Sequence, residues 1–312
     1  MTTSATHPVP VVTEVRIPGP AGDLAATLQL PAGPGPHPAA LLITGSGPID
    51  RNSDHRRMAM GATRQVAQAL ADVGVASLRY DKRGIGGSDG DYLSTGFGDA
   101  TADARAALAW LSALPEVGPV VVIGHSEGAL HAQSLAADGD VVGAVLLAGQ
   151  ARPGRDLLEW QGAQVAASLT GLTARLVSLL RIDLLAKQRA ALDKAAATTS
   201  DVARVGGRRS NARWLREYLS YDPRPTLARI DVPVLAITGE KDLQVPAEDL
   251  DAIAATVPGP VETLRPADLT HILRRDVGRP SLQAYKKLVA QPVDAEVLAA
   301  VTEWVARVVG EH

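Results

Sequence analysis

The feature of the sequence that most constrains the fold is the segment Pro119–Ala137. Its apolar run Val120–Ile123 predicts a buried strand, and the alanine-rich residues from Ala129 onward predict a helix. Between them lies GHSEG at positions 124–128, an instance of the pattern Gly-x-Ser-x-Gly. A turn this tight between a strand and a helix forces its serine into a strained backbone conformation, so both flanking positions must be very small. The segment therefore predicts a strand, a sharp turn and a helix, with Ser126 at the apex as the candidate nucleophile.

A second segment, GGSDG at positions 86–90, fits the same short pattern. It follows Asp81–Gly84 rather than a strand directly, and it leads into Asp91–Gly96, whose composition predicts a loop. The surrounding sequence therefore favours Ser126 over Ser88 as the nucleophile.

The rest of the chain alternates predicted strands and helices. The predicted strands are Val9–Ile17, Leu24–Leu30, Ala39–Ile43, Val75–Tyr80, Val120–Ile123, Val141–Leu147, Val232–Thr238 and Val261–Leu264. The predicted helices of the same part are Met58–Val73, Thr101–Leu114, the one from Ala129, Pro246–Thr256 and Asp294–Val309. This alternation predicts an α/β fold with a doubly wound, mostly parallel sheet, and it places the site at the carboxyl ends of the strands.

The alternation is interrupted between residues 151 and 225, where no strand is predicted. Leu157–Leu185, Ala186–Ala197 and Asn211–Tyr221 have the spacing of helices. They could be additional packing or a cap that lines an acyl pocket, and their position at the expected site favours the cap. We therefore divide the chain into a first core part at 1–150, a helical cap insertion at 151–225 and a second core part at 226–312.

A serine hydroxyl needs a base to accept its proton and an acid to orient that base. His271 lies in a loop just after the last short strand, at the sheet edge where Ser126 is expected, so it is the candidate base. Asp242 and Glu240 both follow the strand Val232–Thr238, and we favour Asp242 because it lies further into the loop. Asp268 is expected to hold the His271 loop in shape.

Backbone N–H groups at two further positions could bind a developing oxyanion. The loop TGSGP at positions 44–48 follows the strand Ala39–Ile43, and its glycines allow the backbone to approach a ligand closely. We expect the N–H of Ser46 and the N–H of Glu127 to be the two donors.

The bulk composition excludes several classes of function. A net charge of −3 over 312 residues gives no signal for nucleic acid, and no apolar run is long enough to span a membrane. The chain has no cysteine, and no secretory signal is visible, so a cytoplasmic protein is expected. Because the aromatic content is only 3%, we expect an acyl group bound under the predicted cap to be of short or medium length. The sequence leaves the oligomeric state open.

These residues resemble the α/β-hydrolase superfamily. The GHSEG turn matches its nucleophile elbow, and the order Ser126, Asp242, His271 is that superfamily's chain order. Within it, GSGP at 45–48 and DRN at 50–52 look like a group of capped bacterial serine esterases, often described as dienelactone-hydrolase-like. Thr44 stands where many lipases have a histidine, which argues against a lipase of that type. The serine at the elbow disfavours the relatives that use an aspartate nucleophile.

The resemblance implies a serine hydrolase that cleaves carboxylic esters of small or medium acyl groups through an acyl-enzyme, without a metal or an organic cofactor. A thioesterase, an amidase or peptidase, or an acyltransferase would use the same residues. A non-catalytic binding protein is the remaining alternative, and the complete serine, aspartate and histidine set disfavours it.

Overall fold

The computed structural model describes residues 10–167, 179, 183–205 and 208–312, and eight strands form the main sheet of this described part. They are β1 Val11–Gly19, β2 Gly22–Leu30, β3 His37–Ile43, β4 Ala76–Tyr80, β5 Val117–His125, β6 Gly143–Leu147, β7 Val234–Ile237 and β8 Val261–Leu264. Their order is β1-β2-β4-β3-β5-β6-β7-β8. β2 is antiparallel to both of its neighbours, and the pairs from β4 to β8 are parallel. The predicted α/β fold with a mostly parallel sheet is confirmed.

Ten labelled helices accompany the sheet in the same described ranges. They are α1 Ala62–Asp72, α2 Phe97–Ser112, α3 Glu127–Asp138, α4 Gly154–Ala167, α5 Leu184–Ala196, α6 Ala212–Ser220, α7 Arg224–Leu227, α8 Asp249–Thr256, α9 Tyr285–Leu288 and α10 Ala295–Gly310. None of the helices in these ranges is both long enough and apolar enough to cross a membrane.

The centre of the sheet is buried on both faces, which explains why runs such as Ala39–Ile43 and Val120–Ile123 are apolar at successive positions. In β3, Ala39 and Leu41 belong to one core, together with residues of α2, α3 and α8. Ala40 and Leu42 belong to a second core with residues of α1 and α10. Successive side chains of a strand point to opposite faces, so helices cover the sheet on two sides.

The first helix begins later than its apolar spacing predicts, at Ala62 instead of Met58. Asp54–His55 pairs with Met58–Ala59 as a two-residue hairpin. The Asp54 carboxylate accepts a hydrogen bond from the Gly61 N–H at 2.7 Å, and Gly61 adopts φ 57°. A left-handed residue at this point separates the hairpin from the helix, so the predicted first turn of Met58–Val73 is wrong.

Residues 151–225 contain α4, α5, α6 and the start of α7. They also contain an antiparallel pair of short strands, Val202–Val205 and Arg208–Asn211, which corrects the prediction that this part has no strand. The second of these strands is polar, RRSN, and therefore lacks the apolar alternation by which a strand is detected. Residues 168–182 of the predicted helix Leu157–Leu185 lie, except for residue 179, outside the described residues.

Candidate active site

β5 passes into α3 through the single residue Ser126, whose backbone adopts φ 55° and ψ −119°. A Cβ atom on Gly124 would lie 2.1 Å from the carbonyl oxygen of Gly128, and one on Gly128 would lie 2.3 Å from that of Ile43. Neither distance is possible for a real side chain, so both glycines of the turn are required. The Ser126 N–H donates to the Leu147 carbonyl at 2.9 Å, which ties the strained turn to β6.

The turn, the loop after β7 and the loop after β8 bring three predicted site residues together. The Oγ of Ser126 lies 3.1 Å from Nε2 of His271, and Nδ1 of His271 lies 2.8 Å from Oδ2 of Asp242. The Asp242 side chain is fully buried, and its Oδ1 accepts the N–H groups of Gln244 and Val245 at 2.7 and 2.9 Å. A carboxylate facing Nδ1 favours the tautomer with its proton there, which leaves the Nε2 lone pair directed at the serine.

The loop that carries His271 is held by an unusual buried cation. Arg274 is 1% exposed, and its guanidinium donates to the carbonyls of Ile272 at 2.7 Å, Gln291 at 3.2 Å and Met60. Burial lowers the pKa of Arg274 to about 10, which still leaves the group charged near neutral pH. The side chain therefore connects the histidine loop to two other segments through backbone carbonyls.

His125 supports His271 from the other side. Its Nε2 lies 2.8 Å from the His271 carbonyl oxygen, and the two rings are 5.0 Å apart. Burial, followed by the nearby imidazole of His271, lowers the pKa of His125 to about 4. A neutral His125 that donates from Nε2 to this carbonyl helps to hold the histidine loop. No pattern in the sequence predicts this contact.

Three other residues considered in the sequence analysis, Glu240, Asp268 and Ser88, lie in other environments. Glu240 is exposed, and Asp268 forms an ion pair with Lys241 at 2.7 Å, as expected for a residue that holds the loop in shape. Ser88 donates its hydroxyl hydrogen bond to the carbonyl of Asp81 at 2.7 Å. The Ser88 hydroxyl is thus used to fasten its own loop.

The two predicted oxyanion donors are available as hydrogen-bond donors. In the part of the chain that the structure describes, neither the N–H of Ser46 nor that of Glu127 has an acceptor. Gly45 packs directly against the nucleophile, since a Cβ there would lie 3.2 Å from the Cβ of Ser126. The loop after β3 therefore runs alongside the elbow, as a second donor to one oxyanion requires.

The side chain of Glu127 is buried beside the nucleophile and contacts the segment predicted as a cap. Its Oε1 accepts the indole N–H of Trp214 on α6 at 3.0 Å and lies 3.4 Å from Nε2 of His131. Burial would raise the pKa of this carboxyl, but the His131 hydrogen bond and the charge of Lys82 outweigh burial and hold the pKa below its usual value. Glu127 is therefore an ionised buried carboxylate.

Lys82 and Glu127 line one small cavity of about 30 Å³, together with Trp214 and residues of the loops after β3 and β4. Sequence reasoning missed both Lys82 and Trp214. The available signal was the position of Lys82 at the carboxyl end of β4, in DKRG at 81–84. Within the described ranges, no cluster of three or more histidine or acidic side chains could hold a metal ion.

The sequence matches a known family of proteins. The family model described as serine aminopeptidase, S33 (Hydrolase_4) matches residues 56–271, which is more than half of the chain. Esterase EstD of Thermotoga maritima is 27% identical over 286 residues, which cover 91% of this chain and 66% of EstD. The chain thus spans just under two thirds of the length of that relative.

Solved structures share the fold over almost the whole chain. Est1E from Butyrivibrio proteoclasticus, in a structure with bound ferulic acid, superposes with a TM-score of 0.65 at 19% identity and covers 95% of this chain and 99% of its own. The Pyrococcus furiosus esterase Pf2001 superposes with a TM-score of 0.60 at 20% identity and covers 95% of this chain and 91% of its own.

Proposed function

The chain belongs to the serine aminopeptidase S33 (Hydrolase_4) family of α/β hydrolases, and we propose that it is a serine hydrolase of carboxylic esters with small or medium acyl groups. One observation carries the proposal. Ser126, at a strained turn, lies 3.1 Å from Nε2 of His271, whose Nδ1 lies 2.8 Å from the buried carboxylate of Asp242. This is the arrangement that activates a serine hydroxyl for acyl transfer.

In the acylation step, Ser126 Oγ attacks the ester carbonyl while His271 Nε2 accepts the hydroxyl proton. Asp242 stabilises the imidazolium that forms and stays ionised itself. The negative charge that develops on the carbonyl oxygen is received by the N–H groups of Ser46 and Glu127. Each such donor typically contributes about 3 kcal/mol to the stability of the transition state.

In the deacylation step, the roles repeat with water as the nucleophile. Before it, the first tetrahedral intermediate collapses and His271 gives its proton to the departing alkoxide, which leaves as the alcohol. His271 then accepts a proton from water as the water oxygen attacks the acyl-Ser126 carbonyl. The second tetrahedral intermediate collapses by breaking the bond between the acyl carbon and Ser126 Oγ, His271 returns its proton to that oxygen, and the carboxylic acid is released. These residues need no further group for the reaction.

The choice of esters over peptides rests on the relatives. The family description names an aminopeptidase, whereas EstD and Pf2001 are both named esterases. An amide would need the same histidine to protonate a poorer leaving group. Thioesters, amides and transfer to another acceptor alcohol are the alternatives that the assays below separate from hydrolysis of esters.

We also propose that residues 151–225 form a cap over the strand ends. Three contacts between this segment and the core support it. Trp214 binds Glu127, Tyr218 donates its hydroxyl to Gln150 at 2.6 Å, and the Gln161 amide donates to the Gln244 carbonyl at 2.7 Å. These contacts join the segment to the ends of β5, β6 and β7, where an acyl group bound at Ser126 would extend.

A cytoplasmic location stays a prediction, which cell fractionation would test.

The proposed activity is tested with p-nitrophenyl esters of increasing acyl length, supplemented by methyl ferulate because one structural relative carries ferulic acid. Wild type should hydrolyse the shorter esters, and Ser126→Ala should lose at least about a thousandfold in kcat. Ser88→Ala is the matched control and should retain wild-type turnover per folded molecule.

Different results would redirect the proposal in defined ways. Labelling of Ser126 by a fluorophosphonate without ester turnover would replace esters by thioesters or amides as substrates. Products that incorporate an added alcohol would indicate an acyltransferase. If folded protein shows no turnover and is not labelled, the catalytic proposal is refuted and a binding protein is the remaining alternative.

A further inference from the structure

Lys82 connects two loops of the site although it forms no hydrogen bond or ion pair with Ser126, His271 or Asp242. It is the second residue after β4, and its ammonium group donates to the carbonyl oxygens of Gly45 and Gly47, the latter at 2.9 Å. These acceptors stand on either side of Ser46. One lysine thus fixes the main chain of the residue whose N–H is proposed to bind the oxyanion.

The geometry of the peptide bond gives this contact a direction. The Gly45 carbonyl and the Ser46 N–H are the two ends of one peptide unit, and in a trans peptide they point in opposite directions. Among the described residues, the only cis bond is Gly35-Pro36. With the Gly45 oxygen bound to Lys82, the Ser46 N–H is therefore directed away from the lysine. The Ser46 N–H has no acceptor in the described chain, and Gly45 itself packs against Ser126.

The charge of Lys82 also suits this position. The second proposed oxyanion donor belongs to Glu127, whose ionised carboxylate lines the same cavity as Lys82. A buried negative charge beside an oxyanion hole opposes the charge that forms in the transition state, because like charges repel strongly where water is excluded. A cation in the same cavity offsets that repulsion.

We infer that Lys82 is a positioning residue of the oxyanion hole: its ammonium group orients the Ser46 N–H and offsets the charge of Glu127. The inference rests on the proposed serine-hydrolase function. It assigns a catalytic purpose to a charged group whose burial is otherwise unfavourable, since burial lowers the pKa of Lys82 to about 8.

The test compares Lys82→Met, which keeps the chain length and removes the charge, with Lys82→Arg, which keeps the charge and can donate to both carbonyls. Lys287→Met is the matched control because Lys287 is exposed. Each variant is checked by circular dichroism, and its active fraction is counted by fluorophosphonate titration. We then measure kcat and KM for p-nitrophenyl acetate and Ki for an alkyl trifluoromethyl ketone, which forms an oxyanion when serine adds to it.

We expect Lys82→Met to lower kcat per active site by about 100-fold, within the range for loss of an oxyanion donor. KM should change by less than about threefold, since bound ester carries no oxyanion. Affinity for the ketone should fall in parallel with kcat, and Lys82→Arg should recover at least about tenfold of the loss. An unchanged kcat, or a reduced kcat with unchanged ketone affinity, would overturn the inference. Absence of turnover and labelling in wild type would instead refute the proposed function.

A measurement on wild type tests the same inference if Lys82→Met does not fold. The titratable and charged groups that face Lys82 across the cavity are Tyr80, Arg83, Tyr92, Asp103, Glu127 and His131. Because Lys82 loses its charge as the pH rises through about 8, kcat should fall along an alkaline limb there. Lys82→Arg should lack this limb. A limb that persists in Lys82→Arg, or a kcat that stays flat in wild type up to pH 10, would contradict the role of the charge.

Discussion

Replacing Asp242 by asparagine gives a sharp prediction because the substitution changes one hydrogen bond and little else. Asparagine Oδ1 can still accept the two backbone N–H groups that the carboxylate accepts at 2.7 and 2.9 Å. The amide NH₂ then faces His271 Nδ1 and forces that nitrogen to act as an acceptor. The imidazole proton moves to Nε2, which points at Ser126 and can no longer take its proton.

The expected loss of activity has two contributions. A carboxylate and an imidazolium about 4 Å apart at an effective dielectric of about 20 attract by about 4 kcal/mol, which is nearly a thousandfold in rate. Adding the wrong tautomer raises this to about 10⁴, the effect of the same change in serine proteases of the trypsin type. We therefore expect Asp242→Asn to lower kcat/KM by between about 10³ and 10⁴.

The assay is hydrolysis of p-nitrophenyl acetate at pH 7.5, with circular dichroism to verify folding and Glu240→Gln as the matched control. Glu240 is an exposed carboxylate two residues away, so its neutralisation should leave kcat/KM within about twofold. Activity of folded Asp242→Asn within tenfold of wild type would show that Asp242 does not set the tautomer of His271. A large loss in Glu240→Gln would show that the wrong acid was chosen.

Three further predictions concern stability. His125 has a pKa of about 4 in the fold against 6.5 ordinarily, so it stabilises the protein fully above pH 6.5. As the pH falls from 6.5 to 4, the unfolding free energy should drop by about 3 kcal/mol in urea titrations, and His125→Gln, which keeps a donor for the His271 carbonyl, should lack this drop. Gly128→Ala should cost about 3 kcal/mol or more, or prevent folding, because its Cβ meets a backbone carbonyl at 2.3 Å, whereas Gly310→Ala meets nothing within 4 Å and should be nearly neutral by the same titration. Trp214→Phe removes an N–H that binds a buried carboxylate and should cost about 1 to 3 kcal/mol, and an unchanged urea midpoint would contradict the importance of that bond.

The fold could be predicted because most strands of the main sheet carry a clear signal. Strands such as Ala39–Ile43 and Val261–Leu264 are short apolar or alternating runs bounded by turn residues, and the structure has them at the same place or within a few residues. The errors lie where local contacts override the apolar spacing. The Asp54 carboxylate and Gly61 delay the start of α1, and the polar hairpin at 202–211 has no apolar alternation.

The sequence could identify those site residues whose positions follow from the order of strands and loops. Ser126 was identifiable because the turn itself demands two glycines, and His271 because its loop follows a strand at the same edge. The sequence favoured Asp242 over Glu240 only by its place further along the loop, whereas the structure supplies the physical difference, since the loop buries Asp242 and exposes Glu240. The position of Lys82 after β4 placed it near the site, but its role was not predicted because its partners are backbone carbonyls, which no residue type in the sequence marks as acceptors.

In the proposed mechanism, Ser126 carries the acyl group during turnover. The most direct measurement is mass spectrometry of wild type quenched in acid during hydrolysis of p-nitrophenyl butyrate, followed by digestion and sequencing of the modified peptide. We expect one butyryl group per active molecule on Ser126, and none in Ser126→Ala. Steady turnover with no acylated peptide, or an acyl group on another residue such as Ser88, would contradict it.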